Sequence, residues 1–160
     1  MGDCLSEVHR LDERLAEYER HVSRMAGEDA RSARLMLLQG VGCTTASALV
    51  STVGDARDFK SGRQLAAWLG LVPGQYSSGG KTRLGGITKA GDGYLRTLLV
   101  LGAKSVLAAA RNKQDRLSRW AMALEVRRGY WKAVVAIAAK NARMAWAVLA
   151  KGERFKMLEA

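Results

Sequence analysis

The 160-residue sequence has one proline, two cysteines, two histidines and aromatic residues at only 6% of positions. Each shortage excludes something. Cys4 and Cys43 stand far apart with no CxxC or Cys/His spacing, which rules out a disulfide framework or zinc cluster; both read as free thiols of a reducing compartment. His9 and His21 lie in one charged helical stretch and read as solvated surface rather than metal ligands, so a His-dependent catalytic triad lacks its material. Apolar runs are short as well. The longest, Leu98 to Ala110, is interrupted by Lys104 and falls short of a bilayer span, and Met1 to Arg20 is charged where a signal peptide is apolar. A cytoplasmic protein without a membrane partner is expected. Acid is the last scarcity: 15 Asp and Glu against 26 Lys and Arg leave a net charge of +11. A polyanion is the favoured partner, nucleic acid ahead of an anionic membrane surface.

What is present reads as one domain with an N-terminal extension. Val8, Leu11, Leu15, Tyr18, Val22 and Met25 alternate steps of three and four, with charges between them. This heptad seam predicts an amphipathic, coiled-coil-like helix over residues 1–27, ending at Gly27 to Asp29, and a homo-oligomer formed through residues 5–25. The competing reading is a helix folded back on its own domain. From Arg34 a helix is expected to end at Gly40, turn through Gly40-Val41-Gly42 and restart among small residues, a helix-hairpin-helix-like pattern over residues 35–53. Gly40 and Gly42 would let the turn approach a phosphate, the second helix would aim its amides and dipole at that anion, and Thr44 and Thr45 would add hydroxyl donors. A packing corner is the alternative. Ser61 is a candidate N-cap for a short helix stopped by Gly70 and Pro73, and three longer apolar helices follow residue 93. Trp68, Trp120 and Trp146 sit on apolar faces and are expected in the core, whereas Trp131, beside Tyr130 and Lys132, reads as more open. The fold class is mostly α.

The stretch "PGQYSSGGKTRLGGITKAGDGYLR", residues 73–96, is expected to be a glycine-rich basic loop. A hydroxyl nucleophile acting on a phosphodiester needs a small exposed side chain, cations on the non-bridging oxygens and a route for its proton. Ser77 and Ser78 followed by Gly79 and Gly80 supply the first. Lys81, Arg83, Lys89 and Arg96 supply the second. The third is not visible, for Asp92 is the sole carboxylate between Pro73 and Lys104. A loop that binds anions without catalysis satisfies the same residues.

The order "LLQGVG", "FKSGRQLAAWLGLVP", "SSGGKTRLGGITKAGDGYLRTLLVLGA" and "KAVVAIAAKNARMAWAVLAKGE" resembles the C-terminal serine domain of the IS-one-ten bacterial insertion-sequence transposases, across roughly residues 34–156. The resemblance implies a DNA recombinase in which Ser78, with Ser77 as fallback, attacks a DNA phosphodiester and holds it as a covalent phosphoserine. It further implies a bacterial, nucleoid-associated setting, DNA and a guide (bridge) RNA as partners, an N-terminal coiled coil that helps protomers associate, and Mg2+ at a separate RuvC-like domain with an acidic site. Residues 1–34 contain no strand pattern or acidic cluster, so no cofactor is expected in this chain, which then reads as an excised fragment or a truncated gene product. The alternative function is a non-catalytic, sequence-independent DNA-binding module.

Overall fold

Small polar residues set where the helices of this chain begin. In the computed structural model, which describes residues 2–78 and 81–152, the order is α1 (Gly2–Glu28), α2 (Ala30–Leu35), α3 (Cys43–Val53), a 3-10 turn (Ala56–Asp58), α4 (Gly62–Trp68), β1 (Pro73–Ser78), β2 (Lys81–Ile87), α5 (Gly93–Ala110), α6 (Arg116–Arg128) and α7 (Tyr130–Lys151). Asp29, Asp55, Ser61, Asp92 and Asp115 each accept backbone N–H bonds at the starts of α2, the 3-10 turn, α4, α5 and α6. These oxygens satisfy amides that have no partner inside the helix, and the carboxylates also face the positive end of the dipole. The mostly α class expected from the sequence is the class found.

The core is organised by α7. Ala133, Val134, Ile137, Ala138, Asn141, Ala142, Ala145 and Val148 form its buried face at helical spacing, and the helix packs against α4, α5 and α6. Four alanines on that face let neighbouring helices approach closely, while Leu95, Leu99 and Leu107 of α5, Leu65 of α4 and Leu69 at its end fill the space between them. By length and composition alone α5 and α7 are apolar enough to cross a bilayer; here that apolarity is what makes them core helices. Trp146 ties the packing to the surface turn, its indole N–H donating to the carbonyls of Ala56 at 2.9 Å and Phe59 at 3.0 Å.

Three expectations about elements need correction. The stretch expected as a loop over residues 73–96 holds strands: β1 and β2 pair as an antiparallel ribbon, residues 88–92 connect it onward, and α5 has already begun at Gly93. The helix expected to reach Gly40 stops at Leu35, and residues 36–41 continue as successive turns, with Leu38 N–H bonded to Leu35 O and Val41 N–H to Leu38 O. Trp68 is not core; it is exposed at the end of α4, edge-on to Phe59 with ring centroids 5.5 Å apart. Trp120 and Trp146 are half-buried and Trp131 is 65% exposed.

The first helix also runs further than the glycine at position 27 implied. It continues to Glu28, and the break is made by Asp29, which starts α2. Leu5, Val8, Leu11, Leu15, Tyr18 and Met25 are all exposed along it, and Ala26 marks where the helix enters the core. Val22 is half-buried, and α1 packs against α2 and α3.

Candidate nucleic-acid interface

The turn before α3 is built on a close approach between two backbones. Gly40 has φ +80°, and a Cβ placed there would stand 2.6 Å from both the Gly102 carbonyl oxygen and Val106 Cγ2. From the other side, a Cβ on Gly102 would lie 1.9 Å from the Gly40 oxygen. Two further contacts hold the turn: Asn141 Nδ2 donates to the Gln39 carbonyl at 2.9 Å, and the Gln39 side chain bonds the Asp115 carboxylate. Gly40 is therefore committed to packing against α5. Gly42 differs, for a Cβ there would meet nothing within 4 Å. It occupies the N-cap of α3 without a side-chain cap bond, so no capping side chain satisfies the first amides of α3. Thr44 is exposed beside it. Thr45 points inward, only 7% exposed, and its expected hydroxyl contact to a phosphate is withdrawn because packing encloses it.

The serine-bearing ribbon stands on feet that are bonded to the core. Register pairs Pro73 with Ile87, shifts by a bulge, and then pairs Gln75 with Leu84, Tyr76 with Arg83, Ser77 with Thr82 and Ser78 with Lys81. Gly79 and Gly80 lie outside the described residues, and Ser77, Ser78, Lys81 and Thr82 are described by their backbone register alone. Because strand positions alternate with period two, Ser78 shares its parity with the cross-strand positions of Lys81 and Arg83, and Ser77 with Thr82 and Leu84. At the base, Thr88 N–H donates to Val72 O at 2.9 Å and Lys89 N–H to Gly70 O at 3.2 Å. Gly91, at φ +72°, passes so near α4 that a Cβ would fall 1.8 Å from the Trp68 oxygen. Lys89 itself adopts φ 55°, a left-handed conformation uncommon for a residue with a Cβ.

Arg96 belongs to this base. Its Nη1 donates to the Leu69 carbonyl at 3.1 Å and the Ala90 carbonyl at 2.9 Å, bracing the end of α4 against the segment that leaves the ribbon. Charge alone had pointed it at a phosphate. Asp92 is likewise engaged, accepting the Leu95 amide at 2.9 Å as the cap of α5. Arg83 and Lys89 are exposed. Among the described residues the ion pairs are Arg10–Glu7, Arg31–Asp29 and Arg57–Asp55, so neither Arg83 nor Lys89 is neutralised by a carboxylate. The ribbon foot and the Gly40 turn both meet α5, near Gly93 and Gly102, about 14 Å apart along its axis. Sequence reasoning missed Asn141 and Gly102; the signal for each was a polar or side-chain-free position inside an apolar helical run.

Among the described residues no group of three or more His, Cys, Asp or Glu is placed to hold a metal ion. These residues do not fit a divalent cation site, and no chemical step is assigned to one here.

Residues 32–119 match the family described as Transposase IS116/IS110/IS902 family. The chain belongs to that transposase family. A probable family 20 transposase of Pseudomonas aeruginosa is 48% identical over 155 residues, covering 94% of this chain and 46% of the relative. The transposase for insertion sequence element IS1111A of Coxiella burnetii is 42% identical, covering 96% and 43%. The transposase for insertion sequence element IS1328 of Yersinia enterocolitica is 38% identical, covering 94% and 46%. This transposase-family chain thus spans less than half the length of the curated relatives it matches.

Proposed function

We propose that this chain is the part of an insertion-sequence transposase in which a serine acts on DNA, with Ser78 as nucleophile. Its hydroxyl oxygen attacks a phosphodiester phosphorus, a P–O(serine) bond forms, and the bond to one deoxyribose oxygen breaks. That leaving oxygen takes up the proton the serine loses. In the reverse sense a free hydroxyl of another strand attacks the phosphoserine and restores Ser78, so strand exchange needs no external energy source. The carrying observation is the register: Ser78 is paired with Lys81 and in phase with Arg83, on a ribbon whose base is fixed by backbone bonds and by Arg96. Cations in that phase stabilise the charge that develops on the non-bridging oxygens. Ser77, in the opposite phase, is the weaker choice.

In this reading Lys81, Arg83 and Lys89, with the Gly42–Thr44 start of α3, contact the DNA backbone, and such contacts position DNA without reading its sequence. Gly79 and Gly80, which follow the serine in sequence, carry no side chain. Mg2+ and the guide RNA belong to the full-length protein, and protomers associate through the exposed seam of α1. The test is Ser78→Ala. In the full-length transposase it is expected to abolish strand exchange, while this chain's affinity for duplex DNA stays within about twofold because cations carry the binding. Exchange that survives, or binding that falls in step with it, reduces the ribbon to a phosphate clamp with steep salt dependence. One observation favours that second reading: the nearest carboxylate in sequence, Asp92, is occupied as a helix cap.

A further inference from the structure

An apolar groove of about 680 Å³ opens between the foot of the ribbon, α4, α6 and α7. Ile87 and glycine backbone of β2 form one wall, and Trp120 and Trp131 form part of the other. The only charged side chains among the described residues lining it are Arg63, Lys132 and Arg143, with no hydroxyl, amide or carboxylate side chain beside them. None of these three cations is in an ion pair among the described residues. Two more flank the tryptophans: Lys140 Nζ lies 4.4 Å from the Trp120 ring centroid and Lys104 Nζ 5.9 Å from that of Trp131. Burial, then repulsion from Arg143 and Arg116, pushes the Lys140 ammonium below its ordinary pKa. Trp131 is 65% exposed, edge-on to Tyr130 with centroids 5.2 Å apart. A large aromatic surface left in water beside cations that have no carboxylate partner among the described residues asks for a ligand that is both anionic and flat.

We propose that this groove receives an unpaired stretch of DNA, one base stacking on Trp131 while neighbouring phosphates lie on Arg63, Lys132 and Arg143. Duplex bases are stacked on one another and unavailable, so only a strand that has been opened can enter. Aromatic platforms in basic grooves hold such strands with little sequence preference. DNA is the occupant argued for because the chain is read as a DNA-processing one, and a single strand of RNA, which the same cations and indole could hold, is the alternative the test excludes. The position suits the reaction. Pro73 is at the groove and Ser78 is five residues along β1, about 17 Å away along the strand, so the edge of the groove at Pro73 is within a few nucleotides' reach of the serine's place in the ribbon. The inference rests on reading the chain as a DNA-processing one.

The experiment is fluorescence anisotropy of this chain with a labelled single-stranded DNA, the same sequence as duplex, and the same sequence as RNA. Trp131→Ala is expected to weaken single-stranded DNA about tenfold or more and duplex less than about twofold, and Trp131→Phe to recover most of the loss. Trp131 is exposed, so both variants are expected to fold, which circular dichroism verifies. Three outcomes overturn the proposal: equal single-strand affinity for Trp131→Ala and the parent chain, Trp131-dependent binding that is tighter for RNA than for DNA, or loss of self-association in Trp131→Ala with DNA binding untouched, which would assign the groove to a second copy. A missing Ser78–DNA adduct alongside Trp131-dependent binding defeats the nucleophile reading alone. An intact adduct with Trp131-independent binding defeats this inference alone.

Discussion

Replacing Gly40 by alanine separates packing from contact at the turn before α3. The new Cβ would stand 2.6 Å from the Gly102 carbonyl and from Val106 Cγ2, so α5 must shift or the turn must open. Overpacking of this kind costs about 1–3 kcal/mol. A left-handed φ of +80° adds about 1–2 kcal/mol for a residue with a side chain. A loss of about 4 kcal/mol is expected, a large part of the ~5–15 kcal/mol by which domains are stable. Gly42→Ala is the control: φ −88° and ψ 179° suit any residue and the added methyl meets open space. Its change is expected within about 1 kcal/mol, mostly from exchanging glycine for a poorer N-cap. Urea denaturation followed by far-UV circular dichroism gives both values, provided the slope is unchanged. A Gly40→Ala loss below about 1 kcal/mol, or equal losses for the two variants, refutes the packing argument.

Arg96→Met removes both guanidinium bonds to carbonyls, so the Thr88 and Lys89 amides at the ribbon foot should exchange hydrogen at least about tenfold faster, as a local loss of some 1.5–3 kcal/mol implies; unchanged exchange contradicts the bracing role. The Asp115 carboxylate is held below its usual range by the Ser118 hydroxyl, against the opposing effect of burial and with help from the Ser118 amide, Gln39 and the Leu117 amide. With the folded value depressed, its stabilisation is complete above the unfolded pKa of about 3.9 and disappears as pH falls through the folded value. Asp115→Ala should therefore cost about 1 kcal/mol at neutral pH and progressively less below about pH 4 in chemical denaturation; an undiminished gap in acid would count against it. Leu15→Glu places a charge on the exposed α1 seam, where Leu15 is 59% exposed, and should shift sedimentation equilibrium to monomer without lowering the core's denaturation midpoint; a parent chain that is already monomeric sinks the pairing of α1.

The helices were legible wherever one face is continuously apolar. The three longer helices expected after residue 93 are α5, α6 and α7, and Val134, Ile137, Ala138, Ala142 and Ala145 are buried together in the last. The ribbon was not legible, because "SSGGKTRLGG" carries neither alternation nor β-branched density; backbone pairing and a base anchored to α4 and α5 hold it instead. Trp68 looked buried by its apolar neighbours, yet α4 is only seven residues long and ends at that ring. The candidate site divided along the same line. Local composition identified the serines, glycines and exposed cations. Whether a glycine or an arginine serves a ligand or the fold depended on partners remote in sequence, such as Gly102 for Gly40 and Leu69 for Arg96.

The most direct measurement is intact-mass spectrometry after mixing this chain with a matching RuvC-like domain, guide RNA, Mg2+ and a nicked target DNA that traps a covalent intermediate. The account expects a DNA adduct that maps to Ser78 and is absent from Ser78→Ala. Cleavage without an adduct, persisting in a full-length Ser78→Ala protein, would place the chemistry elsewhere and leave the ribbon as a clamp.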